Sequence, residues 1–259
     1  DLACGAGSAL RAADRAGLTD LTGLDISDGA IKALATALPN ATGITGSAAA
    51  TGLDDGDFNY VVSQFGFEYA GAVDAAKEAG RLLAPGGAFV AVAHKKGGAI
   101  ARECQAKLAE ANALKDTGFI GAAETVFRAA FEAEANRGPV TMAAYETAAK
   151  GLLAPRNALS TLAASQRGLA SHLLSGAGQL FERRKAYALD DILSWLSGMT
   201  HEIDAYAGRM RAMTEAALDE AALSAVAAAF EAAGCAAEPG ESLNLGGSPA
   251  AWIIQARKG

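Results

Sequence analysis

Cysteine and proline are scarce in this 259-residue chain, aromatics make up 6%, and no long apolar run interrupts it. Each shortage excludes something. The cysteines, Cys4, Cys104 and Cys235, are odd in number and far apart, which argues against a disulfide framework and for a reducing, cytoplasmic setting. Nothing in their spacing resembles a zinc cluster, so no metal is expected. No apolar run reaches the ~18–20 residues of a membrane span, and no signal peptide opens the chain. The first residue is Asp1, in the middle of a motif, so an upstream segment missing from the sequence is allowed for. Basic residues, 22 against 29 acidic, leave a formal net charge of −7. Without a basic stripe to follow a phosphate backbone, nucleic acid is a poor first partner.

Hydrophobic types, at 51% with 30 glycines, suffice for a buried core. Alanine supplies about a quarter of the residues and favours helix. From Asp1 to about His94 short strand-like runs alternate with alanine-rich helical ones, the pattern of a parallel sheet with crossover helices. Ser8–Ala16, Asp28–Leu38 and Ala72–Leu83 read as helices; Leu21–Ile26, Phe58–Ser63 and Ala88–His94 read as strands. From 98 to 214 the strand signal vanishes, which predicts a helical insertion. Within it Ile192, Leu196, Met199, Ile203, Tyr206, Met210 and Met213 recur at steps of three and four, forming an apolar stripe suited to helix packing. Strand character returns at Cys235–Leu245 and Ala251–Lys258, joined by a turn short enough to make the pair antiparallel.

The chemistry concentrates in Asp1-Leu2-Ala3-Cys4-Gly5-Ala6-Gly7, which runs straight into a helix. Glycines at such a bend let the backbone turn sharply and approach a ligand closely. Asp25 ends the next strand, 18 positions after Gly7, where a carboxylate can accept both hydroxyl hydrogens of an adenosine ribose. That combination suits a dinucleotide or S-adenosylmethionine. Leu10 occupies the place of the third glycine of a dinucleotide fingerprint.

The segment DLACGAG resembles the first motif of the class I S-adenosylmethionine-dependent methyltransferases. GLDIS at 23–27, the run at 46–69, RLLAPGG at 81–87 and the terminal antiparallel pair extend the resemblance over residues 1 to about 96 and 219–259. It implies a doubly wound α/β, Rossmann-like sheet, mostly parallel with its last strand antiparallel, in the order 3-2-1-4-5-7-6. The corresponding domains are 1–97 with 215–259, and a substrate-selecting helical cap at 98–214. The resemblance places the methionyl part of the cofactor over Ala3, Gly5, Ala6 and Gly7 with Asp1 at its amino end, the ribose on Asp25, and the adenine against Ile26 and the pair Ser47-Ala48. Ser63 and Gln64 would flank the sulfonium. Many relatives carry an acidic residue where Ser47 stands, so a weaker contact is implied there.

Phe67, Glu68 and Tyr69 follow the fourth strand at the edge where such folds bind ligands. Phe67 and Tyr69 are candidates for contacting substrate. Glu68 is a candidate for orienting or deprotonating an acceptor or for attracting a cationic amine, against the plainer reading of a solvated loop carboxylate. His94 ends the fifth strand and is the best-placed general base, against the plainer reading of a solvent-facing residue beside Lys95-Lys96. His172 borders apolar helix positions and is a further substrate candidate, whereas His201 falls on the polar side of its helix. The aspartates 54, 55 and 57 read as solvated loop charges. The expectation is an enzyme that methylates nitrogen or oxygen of a small molecule and releases S-adenosylhomocysteine, with a homodimer left open. A tRNA or protein methyltransferase, using Arg183–Lys185 and Arg209–Arg211 as basic surface, and a non-catalytic S-adenosylmethionine-binding protein are the alternatives.

Overall fold

The computed structural model describes residues 1–165 and 168–259. After an opening stub, α1 (Ser8–Arg15), β1 (Thr22–Asp25), α2 (Asp28–Ala37), β2 (Thr42–Thr45) and β3 (Phe58–Gln64) follow one another. A 3-10 turn over Phe67–Ala70 leads to α3 (Ala72–Leu82) and β4 (Leu83–His94). Then come the helices α4 (Ala99–Asp116), α5 (Phe119–Ala135), α6 (Pro139–Ser165), α7 (Leu169–Glu182) and α8 (Leu189–Ala216). The chain closes with α9 (Glu220–Ala232), β5 (Cys235–Ala237), β6 (Glu241–Leu245) and β7 (Ser248–Lys258). Local signals set several boundaries. Gly7, left-handed at φ 77°, starts α1; the Ser27 hydroxyl accepts from the Ala30 amide at the head of α2; and Asp219 accepts from the Ala222 amide at the head of α9.

The chain divides into two compact units, Asp1–Cys104 with Ala212–Gly259, and Gln105–Arg211. In the first, β1 and β2 pair in parallel, as do β3 and β4. The stub joins these pairs. The Leu2 amide donates to Val62 O at 2.8 Å, the Leu24 amide to Asp1 O at 3.0 Å, and the Cys4 amide to Leu24 O at 2.9 Å. Asp1–Cys4 therefore lies between β1 and β3, in the middle of the sheet. On the far side β7 pairs antiparallel with β4, and both β5 and β6 pair antiparallel with β7.

The sheet is thus mixed rather than mostly parallel, as the sequence reading had it. The physical reason is the length of the connections: β6 and β7 are joined only through Gly246 and Gly247, both at positive φ, and so tight a turn permits only antiparallel return. The run read as one strand, Cys235–Leu245, is two, because Pro239 offers no amide to the ladder.

One face of the sheet is sealed by a cluster that includes Leu2, Leu24, Val61, Phe67, Phe89, Ala91, Phe230 and Ile254 with apolar positions of α3 and α9. Phe67 and Phe230 each stack on Phe89. On the other face Cys4 and Leu10 pack with Leu34 and Leu38 of α2. These two layers hold the stub and the ends of β1, β3 and β4 in fixed positions.

The second unit is helical and has its own core. Ile192, Leu196, Met199 and Ile203 of α8 share one buried cluster with Phe119, Phe127, Leu159 and Leu173. The α8 stripe is therefore ordinary helix packing. Among the described residues no helix is long and apolar enough to cross a membrane.

Candidate functional site

The bend that follows the stub is built from left-handed residues at alternate positions: Ala3 at φ 54°, Gly5 at φ 53° and Gly7 at φ 77°. The two glycines differ in what surrounds them. A Cβ on Gly7 would overlap Leu34, whereas one on Gly5 would meet nothing within 4 Å. Gly7 thus allows the bend to sit on α2, and Gly5 leaves an open surface. Ala6 is exposed and its carbonyl accepts from Arg11 at 2.6 Å. Ser8, which begins α1, donates to Gln64 Oε1 at 2.8 Å and so ties the bend to the end of β3.

Asp25 fixes the same bend from the other side. Its Oδ2 accepts from the Gly5 amide and its Oδ1 from the Ser27 amide, each at 2.9 Å. A carboxylate has about four lone-pair sites, so each oxygen keeps capacity for another donor. Ile26, next in the chain, is 80% exposed. Asp1 carries the opposite imbalance: its Oδ1 is buried and has no partner. A buried acceptor without a donor is costly, and a ligand amine is one group that would satisfy it. The open Gly5 surface, the spare acceptors of Asp25 and the orphaned Asp1 oxygen fit the amino acid and ribose parts of S-adenosylmethionine.

Past β2, the Gly46 amide donates to Asp25 O, which brings Ser47 and Ala48 to the end of β1. Ala48 is buried in the core; the half-buried Ser47 hydroxyl accepts from the Ala49 amide at 3.3 Å. This loop is held from α3. Glu78 accepts from the Thr51 amide and hydroxyl at 2.8 and 2.6 Å, and Arg81 binds Glu78, with Nε to Oε2 at 2.9 Å, and also Asp55. Those contacts push the Glu78 carboxyl down to about 2, the Arg81 hydrogen bond contributing most. Asp55 is therefore the partner of a guanidinium.

At the ends of β3 and β4 the sequence candidates sort into two kinds. Glu68 and His94 are buried and bonded to each other: Glu68 Oε1 lies 2.7 Å from His94 Nδ1 and accepts from the His94 amide at 3.0 Å. Their side chains are 0% and 4% exposed. The plainer readings of both, a solvated carboxylate and a solvent-facing histidine, are overturned. Phe65 stacks on the imidazole at 4.6 Å, and Tyr69 meets it edge-on at 5.9 Å. Lys95 and Lys96 are engaged elsewhere, over the Trp252 ring and with Asp219. Tyr69 remains 45% exposed, and burial of its hydroxyl, with the Glu68 charge adding, pushes that group up to about 12.

Two candidates are corrected. Phe67 is fully buried against Phe89: the 3-10 turn aims it into the core, so it meets no substrate. Ser63 is likewise buried, its hydroxyl donating to Leu2 O at 2.7 Å and accepting from the Phe67 amide at 2.9 Å. It fastens the stub to β3 and is not a flank of a ligand. Gln64, one residue on, is exposed and carries the Ser8 contact.

His172 lies on α7 in the helical unit, exposed, with its ring 6.2 Å from Trp195. His201 is exposed and bonded to its own helix at Ser197 O. In the basic trio Arg184 pairs with Glu134 and stacks on Phe181.

Phe65, Gly66 and Ser8 escaped the sequence reading. Phe65 holds φ 54°, and a Cβ on Gly66 would come within 2.6 Å of Ala3 Cβ and 2.9 Å of Ala3 O. Gly66 was the legible signal: a glycine just after a strand marks a close backbone approach.

One family model and several solved structures match the first part of the chain. The methyltransferase domain family matches residues 1–91. No curated protein matches the chain. Among solved structures, a complex that contains the Trm112 methyltransferase activator of Haloferax volcanii is 29% identical, with 36% of this chain and 43% of that one covered and a TM-score of 0.35. A protein from Pyrococcus horikoshii is 29% identical (37% and 45% covered, TM-score 0.34), and an S-adenosylmethionine-dependent methyltransferase from Mesorhizobium loti 26% (37% and 45%, TM-score 0.35). The chain spans less than half the length of these structures, and at such TM-scores the overlap carries no weight by itself. The stretch matched by the methyltransferase domain family, residues 1–91, contains both the glycine bend and Asp25.

Proposed function

We propose that the protein is an S-adenosylmethionine-dependent methyltransferase that acts on a small molecule. The observation that carries this reading is Asp25, whose two oxygens tie down the glycine bend while keeping free acceptor capacity beside the open surface of Gly5. The bound cofactor would supply a methyl group on a positively charged sulfur.

The chain's own residues prepare that chemistry. Asp1 would take the cofactor's amino end on its unpartnered Oδ1, over the bend of Ala3, Gly5, Ala6 and Gly7. Asp25 would receive the ribose hydroxyls, and Ile26, Ser47 and Ala48 would border the adenine. Gln64, fixed by Ser8, would line the methionyl side, and Tyr69 would contact the acceptor. Neutralisation of a cation in the transition state is helped little by an opposing charge, so alignment and exclusion of water matter most. The buried placement of His94 and Glu68 suits that need.

Heat stabilisation tests the reading. S-adenosylhomocysteine at a hundred times its dissociation constant should stabilise the purified chain by about 2.7 kcal/mol, and Asp25→Ala should remove that shift. Absence of a shift at millimolar ligand would refute it.

A further inference from the structure

The Glu68–His94 pair has a polarity that names an acceptor class. Resting on the methyltransferase reading above, we propose that His94 Nε2 is the general base for a hydroxyl acceptor, with Glu68 as its positioning residue, so that the enzyme is an O-methyltransferase.

Glu68 Oε1 already accepts from the His94 amide, so at 2.7 Å from that oxygen the His94 Nδ1 carries the hydrogen. In the neutral ring Nε2 is then a bare acceptor, and the hydrogen bonds of the described residues reach the ring at Nδ1. Glu68 Oε1 also takes the His94 backbone amide, which fixes the carboxylate to the end of β4 and not merely to the ring. Phe65 and Tyr69 pack on the imidazole, so its orientation is set on every side that carbon can set it. A carboxylate behind Nδ1–H stabilises the imidazolium that forms once Nε2 takes a proton, the same relation as in the serine protease triad.

Burial chooses between acceptor types. An amine substrate arrives largely as an ammonium, and a site built for it presents an anion to it. Here the Glu68 side chain is 0% exposed and lies behind the ring, so the substrate meets the imidazole edge and no carboxylate. A hydroxyl gains from losing its proton as it attacks, and a bare Nε2 can take it. Tyr69 is no rival base, since burial, with the Glu68 charge adding, keeps its hydroxyl protonated. Lys95 faces Trp252 and is not aimed at His94.

The step balances. The hydroxyl oxygen forms a bond to the methyl carbon as the carbon–sulfur bond breaks, the electron pair stays on sulfur, and the hydroxyl proton passes to Nε2. Solvent then takes that proton from the imidazolium.

Two substitutions separate the roles. His94→Asn keeps a donor for Glu68 but lacks the Nε2 acceptor, and Glu68→Gln keeps the shape but not the charge. With a panel of catechols, phenols, primary alcohols and primary amines, the wild type should methylate hydroxyl compounds, and His94→Asn should lower kcat by 10²–10⁴-fold. KM and the heat shift with S-adenosylhomocysteine should stay as in the wild type, and Glu68→Gln should show a smaller loss in kcat. Nitrogen-15 NMR of the S-adenosylhomocysteine complex should show hydrogen on Nδ1 and none on Nε2. Hydrogen on Nε2 in that complex, transfer to amines alone, transfer to no hydroxyl compound, or full activity in His94→Asn would each overturn the proposal. Loss of the heat shift in the wild type itself would instead refute the methyltransferase reading beneath it.

Discussion

Asp25 and Glu68 are carboxylates at the same edge of one sheet, and the protein treats them in opposite ways. Asp25 is half-exposed and shares its two oxygens between two backbone amides. Glu68 is sealed and gives one oxygen to both hydrogens of His94 while the other has no partner. The first arrangement leaves acceptor capacity facing outward, which is what a ligand-gripping carboxylate needs. The second spends the charge on holding another side chain. The difference teaches that exposure and the division of lone pairs assign the role of an acidic residue, where its position after a strand does not.

The comparison breaks most visibly one residue before Glu68. Phe67→Ala should cost about 3–5 kcal/mol in urea unfolding, as for other buried phenylalanines, because the ring fills the core against Phe89. Tyr69→Ala, on the exposed side of the same turn, should cost about 1 kcal/mol. Equal costs would mean that the turn does not divide core from site.

The bend sharpens the Asp25 half. Gly7→Ala has to strain a left-handed residue and displace Leu34, which should cost about 2–4 kcal/mol. Gly5→Ala adds only strain, about 1–2 kcal/mol, since its Cβ meets nothing. That methyl group would stand where the ligand should lie, so S-adenosylhomocysteine affinity should fall at least tenfold while the fold persists. A Gly5→Ala protein that binds as the wild type does would remove the bend from the site.

Asp25→Asn should lose one amide contact, about 1–2 kcal/mol of stability, together with most of the heat shift by S-adenosylhomocysteine. Glu68→Gln should leave that shift in place. A reversal of these two outcomes would exchange the roles assigned to the carboxylates.

Much of this was legible in the sequence, and the reason is local. The Asp1–Gly7 motif, Asp25 and the α8 stripe are written in residue type and spacing, which survive without knowledge of tertiary contacts. Three things were not. Phe67 and Glu68 are neighbours after one strand, and only the 3-10 turn decides that Phe67 packs on Phe89 and Glu68 finds His94. Ser63 looks like a polar residue aimed at a site, yet its hydroxyl is consumed by Leu2 and Phe67. The β6–β7 pair is written in its short turn, but the antiparallel pairing of β7 with β4 and β5 is a long-range fact that no strand periodicity encodes. Sequence reads the glycine bend and Asp25 well because their geometry is local backbone; contacts made by side chains meeting across strands are read from the fold.

A third carboxylate, Glu78, gives the smallest effect and a sign that can be checked. Arg81 and Thr51 hold it at about 2, below the ordinary glutamate value near 4.3. A depressed pKa stabilises the fold above the unfolded value, and that contribution is lost as pH falls from about 5 toward 2. Because Arg81 is half-open to solvent, the effect should stay within about 1 kcal/mol. Glu78→Gln should flatten this part of the stability curve in acid-dependent urea unfolding. It should also loosen Thr51 and with it the approach to Ser47 and Ala48, so S-adenosylhomocysteine affinity should fall severalfold, with nothing changed at the NMR signals of His94. An unchanged acid slope would mean that the Ser47–Asp55 loop is not pinned from α3, and that the adenine end of the site depends on Asp25 alone.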